Sequence, residues 1–421
     1  MQPMARLIGI GYLLVCLASI AATAFIGPLG YAPLPLGIGP AQEPVVVTIW
    51  YGTEKREWLE ESARRFAATN PRVGSRPVEI VLRGVGSRAI PLRTATEDFG
   101  SDGAPTVISP ASSIWVEVLK TEWAGRNVGA APIVLEGPDA PQPLALTPLV
   151  LVIWDESAKL LWDDASQMDW QSIHDALADQ EGWVGVAKKR GFAPGSPEYQ
   201  SAEQRGYVKF GHTSPLTSNS GAQALTLLAY GYHNKVRDLQ VSDITNPEFQ
   251  QWLFNIENAV LEFGDSTGTF MTNMVQFGPS KYDIVAVYEN VALENIATAR
   301  NRWGQDIRIY YPPATVFSDH PYAILDAPWV TDDQQQGGRL FRDFLLTRPI
   351  QELALRGIDP AQPYGFRPAD PNVPIVDNDA NNPFNRFRDY GVRVDVPQVV
   401  ETPSGDVVNT LLEFWRRRIN K

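Results

Sequence analysis

Short β-branched stretches alternate with longer helix-like stretches from Val45 onward, and this alternation constrains the fold of the chain more than any other feature. Such alternation predicts an α/β fold with mostly parallel sheets. A segment rich in Pro, Asn and Asp, residues 368–386, predicts a long surface loop. The predicted strands are 45–51, 77–82, 106–108, 149–154, 183–186, 207–210, 282–288 and 307–311, and the predicted helices include 54–68, 114–119, 246–263, 334–346 and 407–419.

Hydroxyl-rich segments follow several predicted strands at the points where helices begin. Ligands of α/β folds bind beyond the carboxyl ends of strands, at helix starts whose N–H groups lack partners, so these segments predict a polar cleft. The most informative segment runs from Gly211 to Gly221 and leads into an apolar helix. An ordinary helix cap is the alternative interpretation, because Ser218, Asn219 and Ser220 are strong N-cap residues. The segments are 51–54, 84–87, 109–113, 217–221 and 288–290.

The N-terminal segment predicts export of the rest of the chain. Arg6 precedes an uncharged apolar run, Leu7–Ile26, which is about as long as a membrane span. Residues 1–26 therefore form either a signal peptide, cleaved after a sequence such as Ala22-Thr23-Ala24, or a membrane anchor. Lipid attachment at Cys16 is a third and less favoured alternative. Residues 27–44 are rich in Gly and Pro and predict a linker.

Composition excludes several classes of function. The net charge of −12, without a cluster of Lys and Arg, disfavours nucleic acid as a partner. A single cysteine precludes an intrachain disulfide, and four scattered histidines disfavour a zinc site. The sequence carries no phosphate-binding loop or dinucleotide motif, so no cofactor is expected.

An ordered set of segments resembles the type II extracellular solute-binding proteins of ABC importers, and the resemblance covers roughly residues 45–420. It begins with the strand that ends at Tyr51-Gly52-Thr53-Glu54 and includes the Ser-Asn-Ser-Gly helix start at 218–221. No single segment is specific, and the order of the segments carries the resemblance. The other segments are 104–110, 147–152, 281–289, 311–313, 321–325, 328–330, 351–354 and 365–368.

The resemblance implies two α/β lobes with a ligand cleft between them. Residues 45–146 would form the first part of lobe one, residues 147–309 lobe two, and residues 310–421 the return into lobe one with the C-terminal helix. A small polar solute would be bound without catalysis or a resident metal, and a membrane permease would receive it. Some relatives carry a von Willebrand A-type domain, which this chain lacks, so such a partner would be a separate protein. The implied ligand contacts are Thr53, Glu54, Ser112, Ser113, Ser218, Asn219, Ser220, Thr267, Tyr288 and Glu289.

Alternatives remain open at several of these positions. Glu54 and Glu289 stand at helix starts, where a carboxylate also suits the helix dipole. Tyr288 fits packing as well as ligand contact, and His212 is expected to serve as a loop hydrogen-bonding group. Residues 264–268 match G-x-S-x-G, but a helix-like stretch precedes Ser266, so an N-cap is favoured over a hydrolase nucleophile.

The sequence is compatible with three functions: a solute receptor, an anchored envelope sensor or interaction module, and, least favoured, a serine hydrolase. The hydroxyl-rich helix starts favour an anionic or polar organic solute, whereas Glu54 and Glu289 together would favour a cation, a metal or a sugar.

Overall fold

A computed structural model describes residues 42–164, 168–396 and 398–419. The predicted signal peptide or anchor, Cys16 and most of the predicted linker lie outside these residues. Across the described ranges, the structure contains no helix of the length and hydropathy required to traverse a bilayer.

The described strands form two large sheets and one two-stranded sheet, and the helices cover them, which gives a mixed α/β fold with two lobes. The strands are β1 (Val45–Tyr51), β2 (Arg72–Val73), β3 (Arg76–Gly84), β4 (Val107–Ser109), β5 (Gln142–Pro143), β6 (Ala145–Trp154), β7 (Phe210–Gly211), β8 (Ile284–Tyr288), β9 (Ile307–Tyr310), β10 (Ala314–Thr315), β11 (Phe317–Ser318), β12 (Pro321–Ile324), β13 (Arg367–Pro368) and β14 (Gln398–Val399).

The described helices differ widely in length. They are α1 (Arg56–Ala68), α2 (Ala89–Ala95), α3 (Ile114–Arg126), α4 (Asp155–Leu161), α5 (Trp170–Leu177), α6 (Trp183–Lys189), α7 (Pro197–Glu203), α8 (Asn219–Tyr232), α9 (Val241–Ile244), α10 (Pro247–Ala259), α11 (Thr267–Phe277), α12 (Glu289–Trp303), α13 (Asp332–Leu345), α14 (Arg348–Arg356), α15 (Pro383–Arg386) and α16 (Gly405–Arg418).

The first lobe is built on a sheet with the strand order β2-β3-β1-β4-β12-β5. β1 is parallel to β3 and β4, and the returning strand β12 is antiparallel to β4. Helix α13 packs closely on this sheet, because a Cβ added at Gly337 would lie 2.8 Å from the Val47 side chain. The parallel strands β1, β3 and β4 end at one edge, where the polar segments after them meet.

The second lobe is built around β6, which is buried over Leu149–Trp154. β6 pairs antiparallel with β8, β9, β11 and β13, and only β7 and β8 pair in parallel in this sheet. The prediction of mostly parallel sheets is therefore wrong in strand direction. The chain passes from the first lobe to the second along β6. The later strands that pair with β6 are antiparallel to it.

Three local predictions also differ from the structure. Residues 183–186 form the start of helix α6 and not a strand. A short apolar run is compatible with either element, and packing in the core selects the helix here. Of the predicted strand 207–210, only Phe210 belongs to a strand, β7. The predicted loop 368–386 includes the short helix α15.

The C-terminal helix α16 packs with the second lobe, not with the first lobe as the resemblance implied. Leu411 and Trp415 lie in the same apolar core as β6 and α8. The Trp415 Nε1 donates a hydrogen bond of 2.6 Å to the Glu257 carboxylate of α10. Residues after β13 thus return to the second lobe and close its core.

Candidate functional site

The first polar segment, between β1 and α1, holds a buried ion pair. A Cβ at Gly52 would lie 2.4 Å from a Glu54 carboxylate oxygen, so only glycine allows this side chain to fold back over the chain. The Glu54 carboxylate contacts Lys55 Nζ at 2.9 Å and His320 Nδ1 at 3.3 Å. Burial raises the pKa of Glu54, but Lys55 and His320 outweigh burial and bring it to about 2.

This ion pair gives Glu54 a partner within the protein. Lys55 is 1% exposed and also donates to the Pro110 carbonyl, so its ammonium group faces inward. His320 is completely buried, and burial together with Lys55 lowers its pKa. Lys55 and His320 were not predicted from the sequence, where the only available signal was a lysine directly after a strand-end glutamate.

The second polar segment brings four hydroxyl groups together at the starts of α8 and α11. Ser220 Oγ lies 2.7 Å from Thr213 Oγ1 and 2.7 Å from Thr267 Oγ1, while Ser218 Oγ lies 3.3 Å from Ser220 Oγ. Ser218 is the N-cap residue of α8 by position, but its side chain makes no capping hydrogen bond. We call Thr213, Ser218, Ser220 and Thr267 the hydroxyl cluster; its members satisfy one another.

Asn219 links the two lobes directly. Its Oδ1 accepts a 2.7 Å hydrogen bond from Trp115 Nε1 on α3 of the first lobe. Its Nδ2 donates to the Tyr288 hydroxyl at 2.8 Å and to Ser318 Oγ at 3.1 Å. Asn219 is 3% exposed and its amide is used within the protein. It therefore serves as a contact between lobes rather than as a free ligand donor.

Tyr288 is buried in the same contact. Its side chain is 1% exposed, and burial raises its pKa, with Glu54 adding to that effect. Because burial and Glu54 outweigh the hydrogen bond from Asn219, which favours the phenolate, the Tyr288 hydroxyl stays neutral. Of the two alternatives given for Tyr288, packing fits its burial, and the hydroxyl is used in the contact with Asn219.

Six of the ten predicted contacts line a narrow gap between the lobes, which is almost filled by protein atoms. Its free volume is about 10 Å³, which is close to the space needed by one water molecule. Ser87, three residues after the end of β3, joins the predicted residues here, although only its segment and not the residue was singled out from sequence. The gap is lined by Thr53, Glu54, Gly86, Ser87, Thr217, Ser218, Asn219, Asp265, Ser266, Thr267 and Tyr288.

A larger cavity opens beside this gap and is also lined by both lobes. We call it the interlobe cavity; its volume is about 440 Å³, within the usual range for small-molecule sites. Thr53, Glu54 and Ser266 line both the gap and the cavity. The remaining lining residues are Arg56, Glu57, Gly268, Thr269, Thr272, Val291, Glu294, Asn295, Thr298, Gln362, Tyr364 and Phe366.

Two other predicted contacts lie elsewhere. Ser112 and Ser113 line a separate cavity of about 250 Å³, together with Asn219 and the C-terminal residues 399–403. The backbone N–H of Ser113 donates to the Asp319 carboxylate at 2.8 Å. This pair therefore does not share the interlobe cavity with Thr53.

Glu289 is also turned away from the interlobe cavity. It is completely buried, and Arg367 donates to its two carboxylate oxygens at 2.7 and 2.8 Å. The Tyr311 hydroxyl donates to it as well. A carboxylate occupied in this way has a structural role, and the prediction of ligand contact at Glu289 is not supported by this geometry.

The G-x-S-x-G match does not form a nucleophile elbow. Ser266 precedes α11 as its N-cap residue, and residues 261–266 before it form no strand. Its hydroxyl donates to Thr269 Oγ1 at 2.9 Å. His212 is buried against the Glu257 carboxylate at 3.0 Å and acts as a hydrogen-bonding group, as expected. Within residues 42–164, 168–396 and 398–419, no group of three or more His, Cys, Asp or Glu side chains is arranged to hold a metal ion.

Two lobes with a polar cavity between them define a binding protein of the periplasmic type. The family of bacterial extracellular solute-binding proteins matches residues 47–356, and the chain belongs to this family. No curated protein matches the sequence.

Solved structures with the same fold include a periplasmic thiamin-binding protein, at 12% identity and a TM-score of 0.55, covering 91% of this chain and 98% of that one. The sulfate-binding protein SubI from Mycobacterium tuberculosis has 16% identity and a TM-score of 0.50, with 87% and 96% covered. AfuA from Actinobacillus pleuropneumoniae, with fructose-6-phosphate bound, has 13% identity and a TM-score of 0.52, with 89% and 98% covered. At these identities the likeness shows the fold alone.

Proposed function

We propose that the chain captures a small polar solute in the interlobe cavity and delivers it to the membrane permease of an ABC importer. One observation carries this proposal: residues of both lobes line a single cavity of about 440 Å³. A solute held there contacts both lobes at once and therefore favours their closed arrangement through its differential affinity.

The lining fits a solute recognised by hydrogen bonds. Thr53 belongs to the first lobe, and Thr269, Thr272 and Thr298 belong to helices of the second. Hydroxyl groups donate and accept, so a ring of them matches a solute that carries several polar groups. Tyr364 adds an aromatic surface for the carbon skeleton.

A thermal-shift screen of the full chain with oxyanions, divalent metals, sugars, amino acids and amines tests this function. A solute that binds only the folded state raises the melting temperature, by an amount equivalent to about 2.7 kcal/mol at a hundredfold excess over its Kd. We expect Thr53→Val to reduce the shift and Thr121→Val, an exposed threonine of α3, to leave it unchanged. A panel in which nothing shifts the wild-type chain would contradict solute capture.

The family and the sequence support a proposal for the location of the protein and for its partners. We propose export, with residues 1–26 acting as signal peptide or anchor and the body working on the outer face of the membrane. The permease is the proposed partner. A von Willebrand A-type protein is a further proposed partner on a separate chain, and it rests on the resemblance alone.

The direct contact between lobes favours a second candidate, an envelope interaction module. Asn219 joins Trp115 to Tyr288, and the hydroxyl cluster satisfies itself, so the gap between lobes is held by protein groups. This role predicts a stoichiometric envelope partner that co-purifies with the full chain while no small solute changes its melting temperature.

A further inference from the structure

Glu294 on α12 differs from the other buried glutamates of this protein. Its side chain is mostly buried and lines the interlobe cavity. No hydrogen-bond donor or cation contacts its carboxylate among the residues that the structure describes. By contrast, the more deeply buried glutamates have partners: Glu54 pairs with Lys55, Glu257 with His212, and Glu289 with Arg367.

Glu57 places a second carboxylate on the same cavity from the opposite lobe. It lies in the first turn of α1 and is exposed, whereas Glu294 lies on α12 of the second lobe. The negative charge of Glu57 raises the pKa of Glu294. A mostly buried carboxylate is normally paired, and Glu294 has a second carboxylate near it in place of a cation, so a positive charge supplied from outside the chain would be favoured in this cavity.

The other charged groups around the cavity do not supply that charge. Arg56 is the one guanidinium in the lining; it lies beside Gly84 and the Tyr51 hydroxyl, and within the described residues it forms no ion pair with Glu57 or Glu294. Glu54 is already neutralised by Lys55. Tyr364, which faces Glu294 from the segment before β13, has its pKa raised to about 12 by burial and neighbouring carboxylates, so it stays neutral.

We propose that the interlobe cavity binds a small organic cation, an amine whose ammonium group lies between Glu57 and Glu294. This inference rests on the proposed function and names its class of solute. Asn295, Gln362 and the threonine hydroxyls accept further N–H or O–H groups of the amine. Tyr364 and Phe366 contact its carbon skeleton and offer ring faces to a cation. Two carboxylates in one cavity repel an oxyanion, which reverses the preference drawn from the helix starts.

Proton release gives the proposal a specific signature. Burial and Glu57 raise the pKa of Glu294 to about 7, so near neutral pH a substantial fraction of the free protein carries a proton there. An ammonium group stabilises the carboxylate and expels that proton. Affinity for an amine therefore falls as the pH drops from 8 to 6, approaching tenfold per unit once the pH is below this pKa.

Calorimetric titration of the full chain with putrescine, spermidine and choline tests the proposal, with glucose and sulfate as comparison solutes. We expect at least one amine to bind, with Glu294→Gln and Glu57→Gln each weakening it at least tenfold. The matched control is Glu203→Gln, an exposed glutamate at the end of α7, which leaves affinity unchanged. Titration in two buffers with different protonation enthalpies reports proton release near pH 7 in the wild type and not in Glu294→Gln.

Three results would overturn the proposal, and they differ in what they leave standing. Binding of glucose or sulfate, but of no amine, keeps solute capture and removes the cation. An amine that binds equally well to Glu294→Gln and Glu57→Gln binds elsewhere. Absence of binding by every probe, including the wider thermal-shift panel, removes both the cation and the proposed function.

Discussion

Replacing Glu294 by Gln is expected to stabilise the protein at neutral and alkaline pH, even without a solute. Burial and Glu57 raise the pKa of this carboxyl from 4.5 to about 7 in the folded chain. A group whose pKa is raised on folding favours the protonated folded state, so the free energy of unfolding falls as the pH rises through that interval. Gln has a similar shape and does not ionise, so the variant avoids this loss.

The size of the effect follows from the two pKa values. Below pH 4.5 the carboxyl is protonated in both the folded and the unfolded chain, and it contributes no difference. Above pH 7 the folded state holds the carboxylate at an unfavourable site, which costs about 3 kcal/mol, since one pH unit corresponds to about 1.4 kcal/mol. We therefore expect wild type and Glu294→Gln to be similar near pH 5 and to diverge by about 2–3 kcal/mol at pH 8.

Urea unfolding of both proteins at pH 5, 6.5 and 8 measures this divergence. The change in midpoint, at constant slope, reports the difference in the free energy of unfolding. Glu203→Gln serves as the control, and its difference from the wild type should not vary with pH across this range. A Glu294→Gln variant that is less stable than the wild type at pH 8, or equally shifted at all three values, would refute the account of Glu294 as an unpaired buried carboxyl.

Three further predictions concern the packing around the site. Arg367→Met leaves the Glu289 carboxylate buried without its cation, so melting should report a loss of about 3–5 kcal/mol, and pairing the change with Glu289→Leu should restore part of it. Gly221→Ala should destabilise by about 1–3 kcal/mol, because its Cβ would lie 2.1 Å from the Thr213 carbonyl oxygen. The control Gly125→Ala, in open space on a helix, should instead stabilise by about 0.5–1 kcal/mol in the same melt. Asn219→Ala removes the bond between lobes to Trp115, and small-angle scattering should show a larger radius of gyration than in the wild type.

Local signals in the sequence predicted the main elements of the fold well. The β-branched run at 45–51 is β1, the apolar run at 149–154 lies within β6, and α8 begins directly after Ser218. These elements combine strong propensity with clear end signals. Strand direction was not predictable in the same way, because β6 takes its antiparallel partners from segments more than a hundred residues away.

The location of the candidate site was predictable from the sequence, but the hydrogen-bond and ion-pair partners of its side chains were not. Helix starts mark where the lobes meet, and the structure brings Thr53, Ser218 and Thr267 to one gap. Whether a polar side chain there is free or already paired depends on its partners in space. Glu289 has Arg367 as its partner from 78 residues away, and no periodicity reveals that pairing. Glu294 was overlooked because it lies five residues inside a helix whose first residue attracted attention.

The proposed cation differs from the anion that the helix starts favoured, and the structure offers a physical reason for this difference. The preference for an anion assumed that hydroxyl groups and helix N-termini at strand ends are free to receive a ligand. In the structure Thr213, Ser220 and Thr267 bond to one another, and Asn219 bonds across the lobes, so these groups already hold the protein together.

Glu57 and Glu294 are the carboxylates of the cavity lining that have no cation as a partner within the described residues. They lie about one helical turn after the predicted contacts Glu54 and Glu289. Each lobe supplies one of these carboxylates, and like charges oppose closure until a cation lies between them. Under the proposed function, the neutral contacts around Asn219 set the geometry of closure. The amine then supplies the differential affinity that makes closure depend on the solute.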